Sequence, residues 1–143
     1  MSFPVILPFL RPIAHLIHDP DIGEVIGDLL RATLRHRPDR VVLRKVRGGE
    51  AFDLVQALNT GHGGTLSTIR ANSAPQALAR LGSCVMQRGI DVPYQAVRQQ
   101  IGDSIHLVRH LERSQGRRTV TEFLRIEQHD PQLDKYDTEL VQN

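Results

Sequence analysis

Apolar residues along this chain recur at helical spacing in some stretches and at strand spacing in others, and the alternation of the two predicts an α/β fold. Leu10, Ile13, Leu16 and Ile17 fall at helical spacing. Residues 8–18 are therefore expected to form a short helix, with Pro12 in its first turn and Asp19-Pro20-Asp21 as its stop. A second helix is expected from Ile22 to His36, burying Val25, Ile26, Leu29, Leu30 and Leu34, and ended by Arg37-Pro38-Asp39. Val41-Val42-Leu43 reads as a short buried strand, and Gly48-Gly49 as a turn. Glu50 to Asn59 is amphipathic through Phe52, Leu54, Val55 and Leu58, with Gly61 as its stop.

Thr65 to Ile69 reads as the next strand. Ser73 is a good N-cap and Pro75 fits a first turn, so a helix is expected from there to Arg88, with Gly89 after it. Pro93 opens a further helix to Ile101. A hairpin should follow: Ser104 to Arg113 around Ile105, Leu107 and Leu111, a turn at Ser114-Gln115-Gly116, and a return from Arg118 to Glu127 through Val120, Phe123 and Ile126. Gln128 to Asn143 is polar and is expected to be loose.

Composition narrows the classes. With 143 residues, 40% hydrophobic and 24% charged, the chain can build a hydrophobic core and is not of the disordered type. No apolar run approaches the ~20 residues that span a bilayer. MSFPVILPFLRP is apolar but lacks the basic lead of a signal peptide, so a cytoplasmic location is expected. The single cysteine, Cys84, lies in an apolar stretch and reads as a small buried hydrophobe. Among 18 basic residues only Lys45 and Lys135 are lysine, a bias we read as coding preference. A net charge of +2 and 4% aromatics offer neither the field nor the stacking surface that nucleic-acid binding uses. His15 with His18, and His106 with His110, have no third ligand near them in the sequence and are read as non-ligands.

Residues 28–127 carry a more specific order of signals: DLLRATLRHRPDRVV, then VRGGEAFDLVQALNTGHGGTLSTIRANSAPQALARL, then the hairpin. This order resembles the secretion-ATPase family of type II and type IV systems, and looks most like its conjugal-transfer and pilus-assembly branch, the TrbB- and CpaF-like proteins. ALNTGHGGTLSTIRANS looks like the family's histidine box. The resemblance implies a cytoplasmic, RecA-like P-loop NTPase, hexameric and peripheral at the inner membrane. It would use ATP and Mg2+ to drive pilus assembly or export. Its partners would be full-length secretion ATPase subunits or the inner-membrane secretion complex.

Two parts of the implied site are missing from the sequence. The phosphate loop, Gly-x-x-x-x-Gly-Lys-Ser/Thr, is absent, since neither lysine follows a glycine. In the strand that resembles Walker B, Val41-Val42-Leu43, the family's following glycine and catalytic glutamate are replaced by Arg44 and Lys45. A carboxylate there would polarise the attacking water and support the metal region; an ammonium repels Mg2+ and carries its proton at neutral pH. No catalytic residue is therefore assigned. The resemblance leaves His62, Gly61, Arg70 and Thr65 as nucleotide-binding candidates, with Arg70 standing where the family has a second histidine. Asp39, Arg47 and Glu50 are structural or intersubunit candidates. Arg31, Arg35 and Arg37 read as helix-face charges or intersubunit contacts.

Residues 1–27 resemble the start of the family's N-terminal domain, so an internal deletion is expected with its join near Gly27-Asp28. The expected organisation is an N-terminal remnant at 1–27, the C-terminal part of a RecA-like core at 28–127 and a polar tail at 128–143. The resemblance places the lost phosphate-loop strand between the strands at 65–70 and 105–111. Those two strands are expected to pair directly with each other. The expected function is that of a subunit with no cofactor of its own, unable to hydrolyse ATP alone. The alternative is an ATPase component completed in trans by a full-length homologue.

Overall fold

The computed structural model describes residues 13–15, 23–61 and 64–140. Ten elements follow in chain order: β1 (Ile13–His15), α1 (Gly23–Arg35), β2 (Arg40–Val46), α2 (Glu50–Asn59), β3 (Leu66–Ile69), α3 (Ala74–Met86), α4 (Tyr94–Ser104), β4 (Leu107–Ser114), β5 (Arg117–Asp130) and β6 (Lys135–Leu140). They form two three-stranded sheets. The first has the order β1-β2-β3 and is parallel throughout; the second has the order β4-β5-β6 and is antiparallel.

One hydrophobic core serves both sheets. It joins Val41, Leu43 and Val46 of β2 to Leu124 and Ile126 of β5 through the four helices. At its centre is α2, which touches α1, α3, α4 and β2. Ala51, Leu54, Val55 and Ala57 are buried there, with Phe52 and Leu58 packed against them at the margin. α1 contributes the Ile26–Leu30–Leu34 stripe, whereas Leu29, expected on that face, points toward solvent. Charge also fastens α1 to α2. Arg31 binds Asp28 one turn back and, at 2.6 Å, the buried Asp53 of α2; Arg88 approaches the same carboxylate at 3.4 Å. Arg31 thus remains an exposed helix-face charge while tying α1 to the buried carboxylate of α2.

Local chemistry explains the helix ends. Thr60 closes α2 with a backbone bond to Ala57, and Gly61 follows at φ 93°. The Ser73 side chain accepts from the Gln76 N–H at 3.3 Å, and Glu122 of β5 accepts from the Ala74 N–H at 2.7 Å. A carboxylate at this helix start also meets the positive end of the helix dipole. Gln115 and Gly116, both at positive φ, make the two-residue turn between β4 and β5.

The structure corrects three expectations. Residues 13–15 are a strand, pairing Ile13-Ala14-His15 with Arg40-Val41-Val42, because partnering the open side of β2 satisfies more backbone groups than one helical turn would. The remainder of the helix expected at 8–18 lies outside the described residues. The stretch after Gln128 is not loose up to Leu140. β5 continues to Asp130, and β6 returns along it after a turn closed by the Asp130 carboxylate, which accepts from the N–H groups of Gln132 and Leu133.

That ribbon is tied to α4. His129 is buried and lies 3.1 Å from Asp134, which also binds Arg98 at 2.9 Å. The Arg98 guanidinium covers the Tyr136 ring at 4.9 Å, and Gln95 donates to the Pro131 carbonyl at 2.6 Å. Most residues of the ribbon are polar and exposed, and His129 and Tyr136 are the ones drawn inward, which is why hydropathy alone hides it. The third correction concerns the strands at 65–69 and 105–111. Among the described residues β3 pairs only with β2, and β4 only with β5, so the two do not pair with each other. α1 passes unbroken through Gly27-Asp28.

Two outcomes test this packing. Ile101 is fully buried in α4, so Ile101→Ala should cost about 2–5 kcal/mol in urea unfolding. Burial pushes the Cys84 thiol up, against the pull of Arg80. Folding thus disfavours the thiolate, and this contribution to stability is intact below the ordinary thiol range and lost as pH rises above that range through the raised folded value. At mildly alkaline pH, Cys84 should react with a thiol reagent only at the rate of unfolding.

Candidate functional site

The sequence-selected residues cluster around the first sheet, at both ends of its parallel strands. At the carboxyl end, β2 carries a bulge. Leu43 pairs with Ser67 and Val46 with Ile69, so Arg44 and Lys45 together oppose Thr68. Lys45 takes up the left-handed conformation, φ 58°, and its N–H donates to the Thr68 hydroxyl at 2.9 Å. The bulge turns both side chains out of the ladder, and both are exposed. Such backbone conformations cost a non-glycine residue about 1–2 kcal/mol, and they concentrate where a side chain is being aimed.

Arg47 and Arg70 are exposed at the same edge, Arg70 directly after β3. Four cations, Arg44, Lys45, Arg47 and Arg70, thus stand at the carboxyl ends of β2 and β3, the side where open parallel sheets bind ligands. The carboxylate of Glu50, three residues after Arg47, is otherwise engaged. Glu50 is 6% exposed, and its Oε1 accepts from the N–H groups of Arg47 at 2.6 Å and Gly48 at 3.1 Å. It closes the turn into α2 and is not free to face this edge.

Gly61, Thr65 and Asp39 lie at the opposite, amino end of the strands. A Cβ at Gly64 would sit 2.8 Å from the Asp39 carbonyl oxygen and 2.9 Å from Arg40 Cγ, so this loop can close on β2 only without a side chain there. From Thr65 to Arg70 the strand spans roughly 16 Å at ~3.3 Å per residue. The structure therefore does not bring Arg70 together with Gly61 and Thr65. His62 lies outside the described residues.

Thr65 also lines a cleft of about 390 Å³ that sequence reasoning did not find. Its walls are β3 on one side and residues 105–111, most of them β4, on the other. Its floor is Leu54 and Leu58 of α2 with Leu78 and Leu81 of α3. His106 and His110 both reach it, and His110, itself buried, lies 3.3 Å from Glu112. The sequence signal was the apolar character of Leu66 and Leu107. Both sit in strands yet remain 41% and 46% exposed.

A sequence model described as type II/IV secretion system protein matches residues 13–142. The chain belongs to this family. Conjugal transfer protein TrbB of Rhizobium radiobacter is 39% identical over 78% of this chain and 33% of its own length. Type IV secretion system protein PtlH of Bordetella pertussis is 44% identical over 62% of this chain and 27% of its own. The crystal structure of the VirB11 ATPase from the Brucella suis type IV secretion system, in complex with sulphate, superposes with a TM-score of 0.64 at 31% identity. The match covers 68% of this chain and 30% of that one. This family member thus spans about a third of the length of the curated relatives it matches, and its mixed helix–strand fold agrees with that solved structure. Among the described residues, no helix is long and apolar enough to cross a membrane.

The bulge gives a direct test. Lys45→Gly should relieve the left-handed strain and raise stability by about 1 kcal/mol, whereas Lys45→Ala should not. Thr68→Val, which removes the hydroxyl that accepts the Lys45 N–H, should cost about 1 kcal/mol in the same denaturant titration.

Proposed function

We propose that this chain is a non-catalytic component of a type IV secretion or conjugal-transfer assembly. In this reading it keeps the later part of a RecA-like core, lacks the phosphate-loop strand and is internally shortened near Gly27-Asp28. It works in the cytoplasm, docked on full-length secretion ATPase subunits or on the inner-membrane complex. The observation that carries the reading is Lys45. It holds the position that the family's catalytic glutamate would take, on a bulge that turns it outward among Arg44, Arg47 and Arg70. An edge of four cations can attract phosphate, but it supplies no base for water and repels Mg2+. The absent phosphate loop is a second and separate lesion.

A second reading draws on the same edge. Arg70 and Lys45 could hold an anion while a full-length homologue supplies the phosphate loop, which makes the chain a nucleotide-binding part completed in trans. The VirB11 structure with sulphate shows that a relative takes up an oxyanion, which favours keeping this reading.

Both readings meet one assay. The purified chain should release no phosphate from ATP above buffer, and Lys45→Glu should not restore turnover, because the loop is still missing. The chain should co-elute with a full-length homologue and leave, or lower, the homologue's turnover per catalytic subunit. Turnover by the chain alone, above that of Lys45→Ala, would sink the non-catalytic reading. Turnover gained by mixing with a homologue whose own glutamate is intact but whose histidine box is disabled would favour completion in trans.

A further inference from the structure

The cleft between β3 and β4 is walled by two strand edges. β3 ends the first sheet and β4 ends the second, so each presents its inner edge to the same space. A strand edge carries rows of N–H and C=O groups at fixed spacing, and it is completed by another strand. An edge on each side and an apolar floor between them fit one shape of occupant: an extended chain that bonds left and right and buries alternate side chains below. A compact ligand would fill the floor and leave both edges open.

We propose that this cleft is a docking groove for a β-strand supplied by a different polypeptide. The strand would be apolar at alternate positions, facing Leu54, Leu58, Leu78 and Leu81. It would lack proline, which cannot donate to a ladder and belongs on edges rather than between two strands. Its charged residues would be acidic. The lining includes Arg109 and contains no carboxylate, so an acidic residue would find a cation there and a basic one would meet like charge. The inference stands on the two edges and the floor, and does not depend on whether the chain hydrolyses ATP.

The chain's own segments fit poorly, which points to another polypeptide. β1 is three residues long. β6, Lys135–Leu140, reads KYDTEL and carries three charges in six residues. Residues 1–12 are apolar but hold prolines at 4, 8 and 12. A second copy of this chain would bring these same segments.

The test uses the full chain and a fluorescein-labelled octapeptide with valine or isoleucine at alternate positions, threonine and glutamate between them, and blocked ends. Fluorescence anisotropy should show saturable binding. Hydrogen exchange should show new protection of amides in both 66–69 and 107–111. A matched peptide with alternate backbone amides N-methylated should lose binding, because it cannot bond to an edge. Leu66→Glu and Leu107→Glu, at half-exposed positions where folding is not at stake, should each weaken binding at least ~10-fold, about 1.4 kcal/mol. Leu133→Glu, 67% exposed in the β5–β6 turn, should not change it. Four results would overturn the proposal: equal binding of the N-methylated peptide, protection of one edge only, no binding up to about 1 mM, or a free chain that already dimerises with both edges protected.

Discussion

Backbone N–H and C=O groups cannot be left without partners in a dry interior, and in this fold that requirement decides more than side-chain packing does. Parallel strands must be joined by crossovers, and each added strand leaves one open edge for the next. The first sheet meets the condition on one side by recruiting Ile13-Ala14-His15 beside β2. On the other side it stops at β3. The second sheet stops at β4, and between them no strand is present among the described residues. Two helices, α3 and α4, carry the chain from β3 to β4 and set the two edges across from each other. The cleft is a consequence of connectivity. Its floor comes from the same leucines that hold the helices together.

The packing around the cleft explains why it need not collapse. α2 is buried along most of its length and is gripped by α1 through Arg31 and Asp53, by α3 and α4 through apolar contact, and by β2 from below. Glu122 binds the first turn of α3, and Ser104 of α4 donates to Asn59 at the end of α2 at 2.5 Å. These contacts brace the walls independently of one another. Closing the gap would add a ladder between two free edges, but it would require one sheet to move toward the other against the helices that share a core with both.

Much of the fold was legible in the sequence because the periodic segments were long and their ends carried explicit chemistry. Ser73 with Pro75, Gly61, and the Gln115-Gly116 turn all act as expected. The misses share a cause. Ile13–His15 has apolar residues that suit a helix or a strand equally, and only the neighbouring edge of β2 decides between them. β6 is too polar for hydropathy to reveal; what fixes it is the Arg98–Asp134–His129 chain and the Tyr136 ring, in which the contacts of Arg98 span more than thirty residues of sequence. The expected pairing of β3 with β4 followed correctly from the cost of open edges, but it ignored the helices that hold those edges apart.

The candidate site was legible in residue identity and not in grouping. Lys45 stood out because of its chemistry, yet its left-handed backbone and its bond to Thr68 belong to the bulge and appear only once the register of β2 and β3 is known. Glu50, expected in a structural or intersubunit role, is committed to two backbone N–H groups. That commitment matters for the chemistry of the edge. If Glu50 turned toward Lys45, it would abandon the turn that starts α2 and leave two part-buried donors unpaired, at about 1–3 kcal/mol each. The Glu50 carboxylate is therefore held by the same turn that positions the helix at the centre of the core. A substitution at Lys45 alone would change the charge of this edge without moving Glu50, because the turn depends on the backbone of Arg47 and Gly48 and not on the side chain two residues before.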